Sequence, residues 1–84
     1  MALYAFGRVE LLTGRHVSIP RLTSREKEVL TWTAMGKTAW EVGVILHISK
    51  RTVDAHLQAA AHKLGTLNKT QTVAVALRQR QISL

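Results

Sequence analysis

The stretch ISKRTVDAHLQAAAHKLG, Ile48 to Gly65, decides how the chain is read. Val53, Leu57, Ala60 and Leu64 recur at i, i+4, i+7 and i+11, one apolar stripe along a helix. Ser49, just ahead of the stripe, can accept a hydrogen bond from a first-turn N–H, and Gly65 just after it suits a helix stop. The opposite side carries Lys50, Arg51, Asp54, Gln58 and His62. Such a helix buries one side and offers the other to a ligand or to solvent. An ordinary amphipathic surface helix has the same pattern, so the stripe alone does not choose between them.

Outward from this helix, the flanking signals repeat. Thr23 followed by Glu26, and Thr38 followed by Glu41, are two capping boxes of the form T-x-x-E. The first opens a helix whose inward side carries Val29, Leu30, Thr33 and Ala34, with Gly36 as its stop. The second opens the segment VGVILH, in which Gly43 weakens the helix but lets a neighbour approach closely. A turn of about three residues joins that helix to the one capped by Ser49, the spacing of a helix-turn-helix. A fourth helix begins near Asn68 or Thr70 within NKTQTVAVALRQRQI, and Val73, Val75, Ala76 and Leu77 give it more apolar breadth than one core contact requires. Its surplus can serve a partner. Trp32 and Trp40 fall on the first two helices, where core packing is the expectation.

Pro20 divides the chain. Ahead of it, Leu3, Tyr4, Phe6, Val9, Leu11 and Leu12 can form a short amphipathic helix ending near Gly14, with RHVSI as extended linker. The expectation is therefore an all-α fold: a compact four-helix bundle over residues 21–84, behind an N-terminal arm or short extra helix over residues 1–20.

Bulk properties narrow the function. The chain has 84 residues with 12 Lys+Arg against 5 Asp+Glu, a net charge of +7, so an anionic partner is expected. The basic residues are spread over every segment, which favours nucleic acid over a basic helix lying on a membrane. No cysteine is present, so disulfides, thiol catalysis and thiolate metal sites are excluded. No membrane span or signal segment is legible, and a cytoplasmic location is the expectation. His16, His47, His56 and His62 lack metal-ligand spacing. No nucleophile–base set and no glycine-rich phosphate loop is present, so neither an enzyme nor a cofactor is expected.

In a helix-turn-helix the second helix enters the major groove of DNA with its N-terminal half at the base edges. Lys50 and Arg51 at its start can reach phosphates, with Ser49 and Thr52 supplying hydroxyls. Farther along, Gln58 can pair with adenine, Asp54 can accept from cytosine and Ala55 can touch a thymine methyl. Lys37, Thr38, Lys63 and Lys69 are placed in sequence to clamp the backbone from flanking elements. Asp54 speaks the other way, because phosphates repel a carboxylate.

From Leu22 to Leu84 the chain resembles the LuxR-type helix-turn-helix domain. The matching pieces are LTSREKEVL, GKTAWEVGVIL, SKRTVDAH, KLG and NKTQTVAVALR, in the family's order and spacing. The Trp before Glu in GKTAWEVGVIL is closer to quorum-sensing regulators that respond to acyl-homoserine lactones than to phosphorylated response regulators. The resemblance implies a four-helix bundle that binds palindromic double-stranded DNA as a homodimer, with transcription regulation as its function and the fourth helix, through Val73, Val75 and Leu77, as the dimer contact. It places base-facing residues at Asp54, Ala55 and Gln58, with Arg51 and His62 at the margins. Phosphate contacts fall at Thr38, Ser49, Lys50, Thr52, Lys63, Lys69 and Thr70. Core positions fall on Glu26, Leu30, Ile45, Val53, Leu57 and Leu64, with Glu26 as a capping and buttressing group. RNA polymerase or a related full-length regulator is the further protein partner expected.

Two departures stand out. Asp54 occupies a position where many members carry Lys or Asn, and His47 occupies a turn where Gly or Asn is frequent. A chain of this length holds no sensor domain, so the expectation is a C-terminal fragment or a free-standing short relative. The rival reading is an interaction module that dimerises with a full-length regulator and inhibits it. Retention of Lys50, Arg51, Lys63 and Lys69 weighs against that rival.

Overall fold

The computed structural model describes residues 20–84, and every helix in it starts at a side chain that replaces a missing backbone acceptor. Helix α1 (Ser24–Ala34) opens on a reciprocal box: Glu26 N–H donates to Thr23 Oγ1 at 3.1 Å, and Thr23 N–H donates to Glu26 Oε1 at 2.9 Å. Helix α2 (Ala39–Leu46) repeats the arrangement with Thr38 and Glu41 at 3.1 and 2.9 Å. Helix α3 (Lys50–Leu64) is capped by Ser49, whose Oγ accepts from Thr52 N–H at 3.0 Å. Helix α4 (Lys69–Arg78) is capped by Asn68, and Gln71 accepts in return from Leu67 N–H at 2.7 Å. Each cap satisfies donors that a helix start leaves unpaired. The expected arm over residues 1–20 lies, apart from Pro20, outside the described residues.

The helices also end alike. Lys37 N–H reaches Trp32 O, Ile48 N–H reaches Gly43 O, Thr66 N–H reaches Ala61 O and Gln81 N–H reaches Ala76 O, at 3.1, 2.9, 2.9 and 2.9 Å. The residue before each of these donors has positive φ: Gly36 at 93°, His47 at 58°, Gly65 at 67° and Arg80 at 58°. This is the Schellman closure, which turns the chain sharply through a left-handed residue. Two of the four such residues are glycine, which carries no Cβ penalty there. The other two are His47 and Arg80.

The closure at Arg80 ends α4 at Arg78, so the helix does not run to the end of the segment that starts near Asn68. Instead the tail folds back. Gln81 Oε1 accepts from Leu22 N–H at 2.9 Å, its Nε2 donates to Pro20 O at 3.2 Å, and Ile82 is buried beside Leu22.

The core has two parts. Leu22, Leu30, Ala60, Ala76 and Ile82 form one, with Ala34, Leu64, Val73 and Leu77 packed around it. Val29, Val42 and Val53 form the other, with Trp32, Ala39, Leu46 and Ile48 around it. Leu57 of α3 touches both. Helix α3 packs against α1, α2 and α4, and α1 likewise packs against the other three, so these two helices join the parts of the bundle. Of the expected core positions, Glu26, Leu30 and Val53 are buried, while Leu57, Leu64 and Ile45 are half-buried.

Gly43 sets the α2–α3 turn. A Cβ built on it would lie 2.6 Å from the Ile48 carbonyl oxygen and 3.4 Å from Lys50 N. The close approach expected of this glycine is therefore real, and its partner is backbone, which cannot rotate away. Gly43→Ala is expected to destabilise the fold by about 1–3 kcal/mol through this overlap. His47→Gly, four residues on, is expected to stabilise it by about 1 kcal/mol by relieving the left-handed penalty. Urea unfolding of the two variants checks both signs; a Gly43→Ala chain as stable as the parent contradicts the backbone contact.

Candidate nucleic-acid interface

With Val53, Leu57, Ala60 and Leu64 turned inward, α3 presents the complementary stripe to solvent. Arg51, Ala55, Gln58 and His62 recur at i, i+4, i+7 and i+11, and all four are exposed. They project from a helix fixed at both ends by its caps and held on its inner side by three other helices, so the stripe is rigidly supported. Asp54 lies at the edge of this stripe and is half-buried. Its Oδ2 accepts from Lys50 Nζ at 2.8 Å, with side chains 58% and 42% exposed for Lys50 and Asp54 respectively. The i, i+4 spacing is a sufficient sequence signal for this pair.

Around the start of α3 the hydroxyls are already organised. Ser49 Oγ and Thr52 Oγ1 lie 2.9 Å apart, and both residues are exposed. Thr38 is exposed at the start of α2, with Lys37 half-buried beside it. Hydrogen bonds from the Thr38 backbone and side chain, opposed by slight burial and aided by the Lys37 charge, hold the Glu41 carboxyl below its ordinary pKa. Lys69 and Thr70 are exposed in the first turn of α4.

Lys63 is placed differently. Its Nζ donates to Glu26 Oε1 at 2.8 Å, across 37 residues of sequence. The Glu26 side chain is only 6% exposed and that of Lys63 31%. The same Glu26 oxygen accepts the Thr23 N–H, so one carboxylate closes the α1 cap and anchors the last turn of α3. Burial pushes the Glu26 carboxyl up, but hydrogen bonds from Lys63 and from the Thr23 backbone outweigh it, and its pKa lies below the ordinary value. No local pattern pairs these residues.

On α4, Val73 and Leu77 lean on the first core cluster and Val75 is half-buried. The fully outward residues are Lys69, Thr70, Gln71, Ala74 and Arg78. Trp32 packs against the second cluster as expected. Trp40 does not: it is 68% exposed, one helical turn before the exposed Val44. Helix α2 is apolar on nearly every side and only eight residues long, so periodicity does not tell which side faces the core. Val42 and Gly43 occupy that side, which leaves Trp40 outside, where it lines an open groove with Val44, His47 and Lys50. Among the described residues, no group of three or more His, Asp and Glu could hold a metal ion, and no helix is long and apolar enough to cross a membrane.

Two capped helices joined by a closed turn, the second presenting a polar stripe, define a helix-turn-helix domain. Residues 20–76 match the family model described as bacterial regulatory proteins, luxR family. The chain belongs to that family. Across 84 residues it is 48% identical to the transcriptional activator protein BjaR1 of Bradyrhizobium diazoefficiens, covering 99% of this chain and 35% of that one. It is 49% identical over 78 residues to the quorum sensing-dependent transcriptional regulator RpaR of Rhodopseudomonas palustris, covering 92% of this chain and 32% of that one. The solved structure of the transcription factor GerE superposes with a TM-score of 0.72 at 28% identity, over 80% of this chain and 97% of that one. The chain thus spans about a third of the length of these two curated relatives. Membership of this family implies DNA binding and transcription regulation.

Glu26 supplies a pH prediction. Because its folded pKa is depressed, its contribution to stability is fully present above the ordinary carboxyl value of 4.5 and is lost as pH falls through the lower folded value. Glu26→Gln is expected to lose about 1–3 kcal/mol at neutral pH, since the Lys63 ammonium loses its charged acceptor. The variant should also lack the part of the acid-limb decline that the parent shows below about pH 4.5. Thermal melts from pH 3 to 7 compare the two; parallel profiles rule out Glu26 as the linked group.

Proposed function

We propose that this chain is a sequence-specific reader of double-stranded DNA within a LuxR-type transcription regulator, with α3 seated in the major groove. The observation that carries the reading is the rigidly held stripe of Arg51, Ala55, Gln58 and His62, ending at the Ser49–Thr52 hydroxyl cluster. A helix in the groove needs hydrogen-bonding and apolar groups at base edges along one stripe, and donors near its start for the adjacent phosphates. Gln58 is suited to the adenine N6 and N7 edge, Arg51 and His62 to acceptor edges, and Ala55 to a thymine methyl, with Asp54 at the border. Lys37, Thr38, Ser49, Lys50, Thr52, Lys69 and Thr70 form the phosphate-facing set. Lys63 joins it as an ammonium already held by Glu26.

Two copies pair through α4, using the parts of Val73, Val75 and Leu77 that the core leaves uncovered. That arrangement suits a palindromic site whose half-sites lie about 10 bp apart. In a longer regulator, a sensor domain and RNA polymerase are the further partners.

Selection of bound duplexes from a randomised pool, followed by anisotropy titrations at several salt concentrations, tests the reading. The parent is expected to enrich a palindrome. Gln58→Ala should change the preference at one base position per half-site by about 1–3 kcal/mol while leaving other positions alone. Lys69→Ala should weaken all duplexes alike and reduce the salt slope by roughly one unit for each phosphate left without its lysine. If the two variants behave identically across sequences, the division between base-facing and phosphate-facing residues is wrong. If the parent enriches nothing and binds no duplex at low salt, the chain acts as a protein-interaction module instead.

A further inference from the structure

Asp54 is the sole acidic residue of α3, and folding does not account for it. The Lys50–Asp54 pair is exposed, where an i, i+4 contact contributes about 0.3–0.5 kcal/mol. It also runs in the less favourable order, with the cation nearer the helix N-terminus. Lys50 there opposes the helix dipole, and no acidic residue stands in the first turn to offset it. Both groups sit instead where a ligand would meet them. Lys50 is the first residue of α3, and Asp54 borders the stripe, three residues after Arg51 and four before Gln58.

Resting on the DNA-binding reading above, we propose that Asp54 is a specificity-determining residue that couples base readout to the phosphate grip of Lys50. On a duplex with no amino group within reach of Asp54, its carboxylate keeps the Lys50 ammonium and adds a repulsive charge facing the phosphates. Lys50 then displaces less counterion than an unpaired lysine would, and nonspecific binding is weakened. On a half-site presenting a cytosine N4 amino group, Asp54 accepts that hydrogen bond and Lys50 swings to the neighbouring phosphate. One matched base thereby exchanges the Lys50–Asp54 contact for two bonds to the duplex. Discrimination comes as much from the penalty on wrong sequences as from the bond to the right one.

Asp54→Asn keeps the shape and removes the charge, so it separates these effects. Nonspecific duplexes are expected to bind about 3- to 10-fold tighter to the variant than to the parent, with a salt slope steeper by up to about 0.9 as Lys50 is freed to take up a phosphate. In pool selection, the variant should lose a cytosine preference at one position per half-site and shift toward adenine, which asparagine pairs with in two bonds. In a Lys50→Ala background, Asp54→Asn should leave the salt slope unchanged, because the coupled cation is gone. Circular dichroism and melting of each variant show that the fold is intact. An Asp54→Asn chain with parental nonspecific affinity, slope and base preference overturns the coupling while leaving the DNA-binding reading standing. Failure of both parent and variant to bind any duplex at low salt overturns both.

Discussion

Leu57 and the apolar stripe to which it belongs hold the two halves of the core together. Helix α3, like α1, touches all the other helices, and Leu57 of α3 is the residue common to both halves of the core. Val53 and Ala60, fully buried on either side of it, let α1, α2 and α4 approach. Hydrophobic burial along this stripe orients α3, and helical geometry then dictates that Arg51, Ala55, Gln58 and His62 face outward. The candidate recognition stripe is thus a consequence of core packing.

Orientation is fixed further by devices at the helix ends. Each of the four helices starts on a side-chain cap and closes through a left-handed residue, so the intervening turns have little freedom. At the α2–α3 turn this is most severe. Gly43 admits the Ile48 carbonyl, and His47 takes the left-handed conformation despite its Cβ. At the far end, the Lys63–Glu26 pair ties α3 to the cap of α1. A helix held at both ends and along one side can present a stripe to a rigid duplex without first being ordered.

Much of this is legible in the sequence because it rests on local rules. The Thr23–Glu26 and Thr38–Glu41 boxes, the Ser49 cap and the i, i+4, i+7, i+11 apolar stripe depend only on residues within a few positions of one another. The rest is non-local or ambiguous. Glu26 meets Lys63 through the fold alone. Trp40 is expected inside because α2 is apolar on nearly every side, and its placement outside follows from which side the Gly43 contact allows inward. The end of α4 carries no local signal, because Arg80 and not a glycine makes the closing turn. Charge alone sets the Asp54 carboxylate against the phosphates; the i, i+4 spacing also pairs it with Lys50, one turn before it.

On the proposed reading, the outward stripe of α3 is the surface that meets DNA. Two-dimensional NMR of the isotopically labelled chain, titrated with a duplex selected from the random pool, tests it most directly. Backbone and side-chain resonances of Arg51, Ala55, Gln58 and His62 are expected to shift most, followed by those of Ser49 and Thr52, while Val53 and Leu57 report an unchanged core. Shifts centred on Trp40 and Val44 or on the outer side of α4, with the α3 stripe silent, would contradict it.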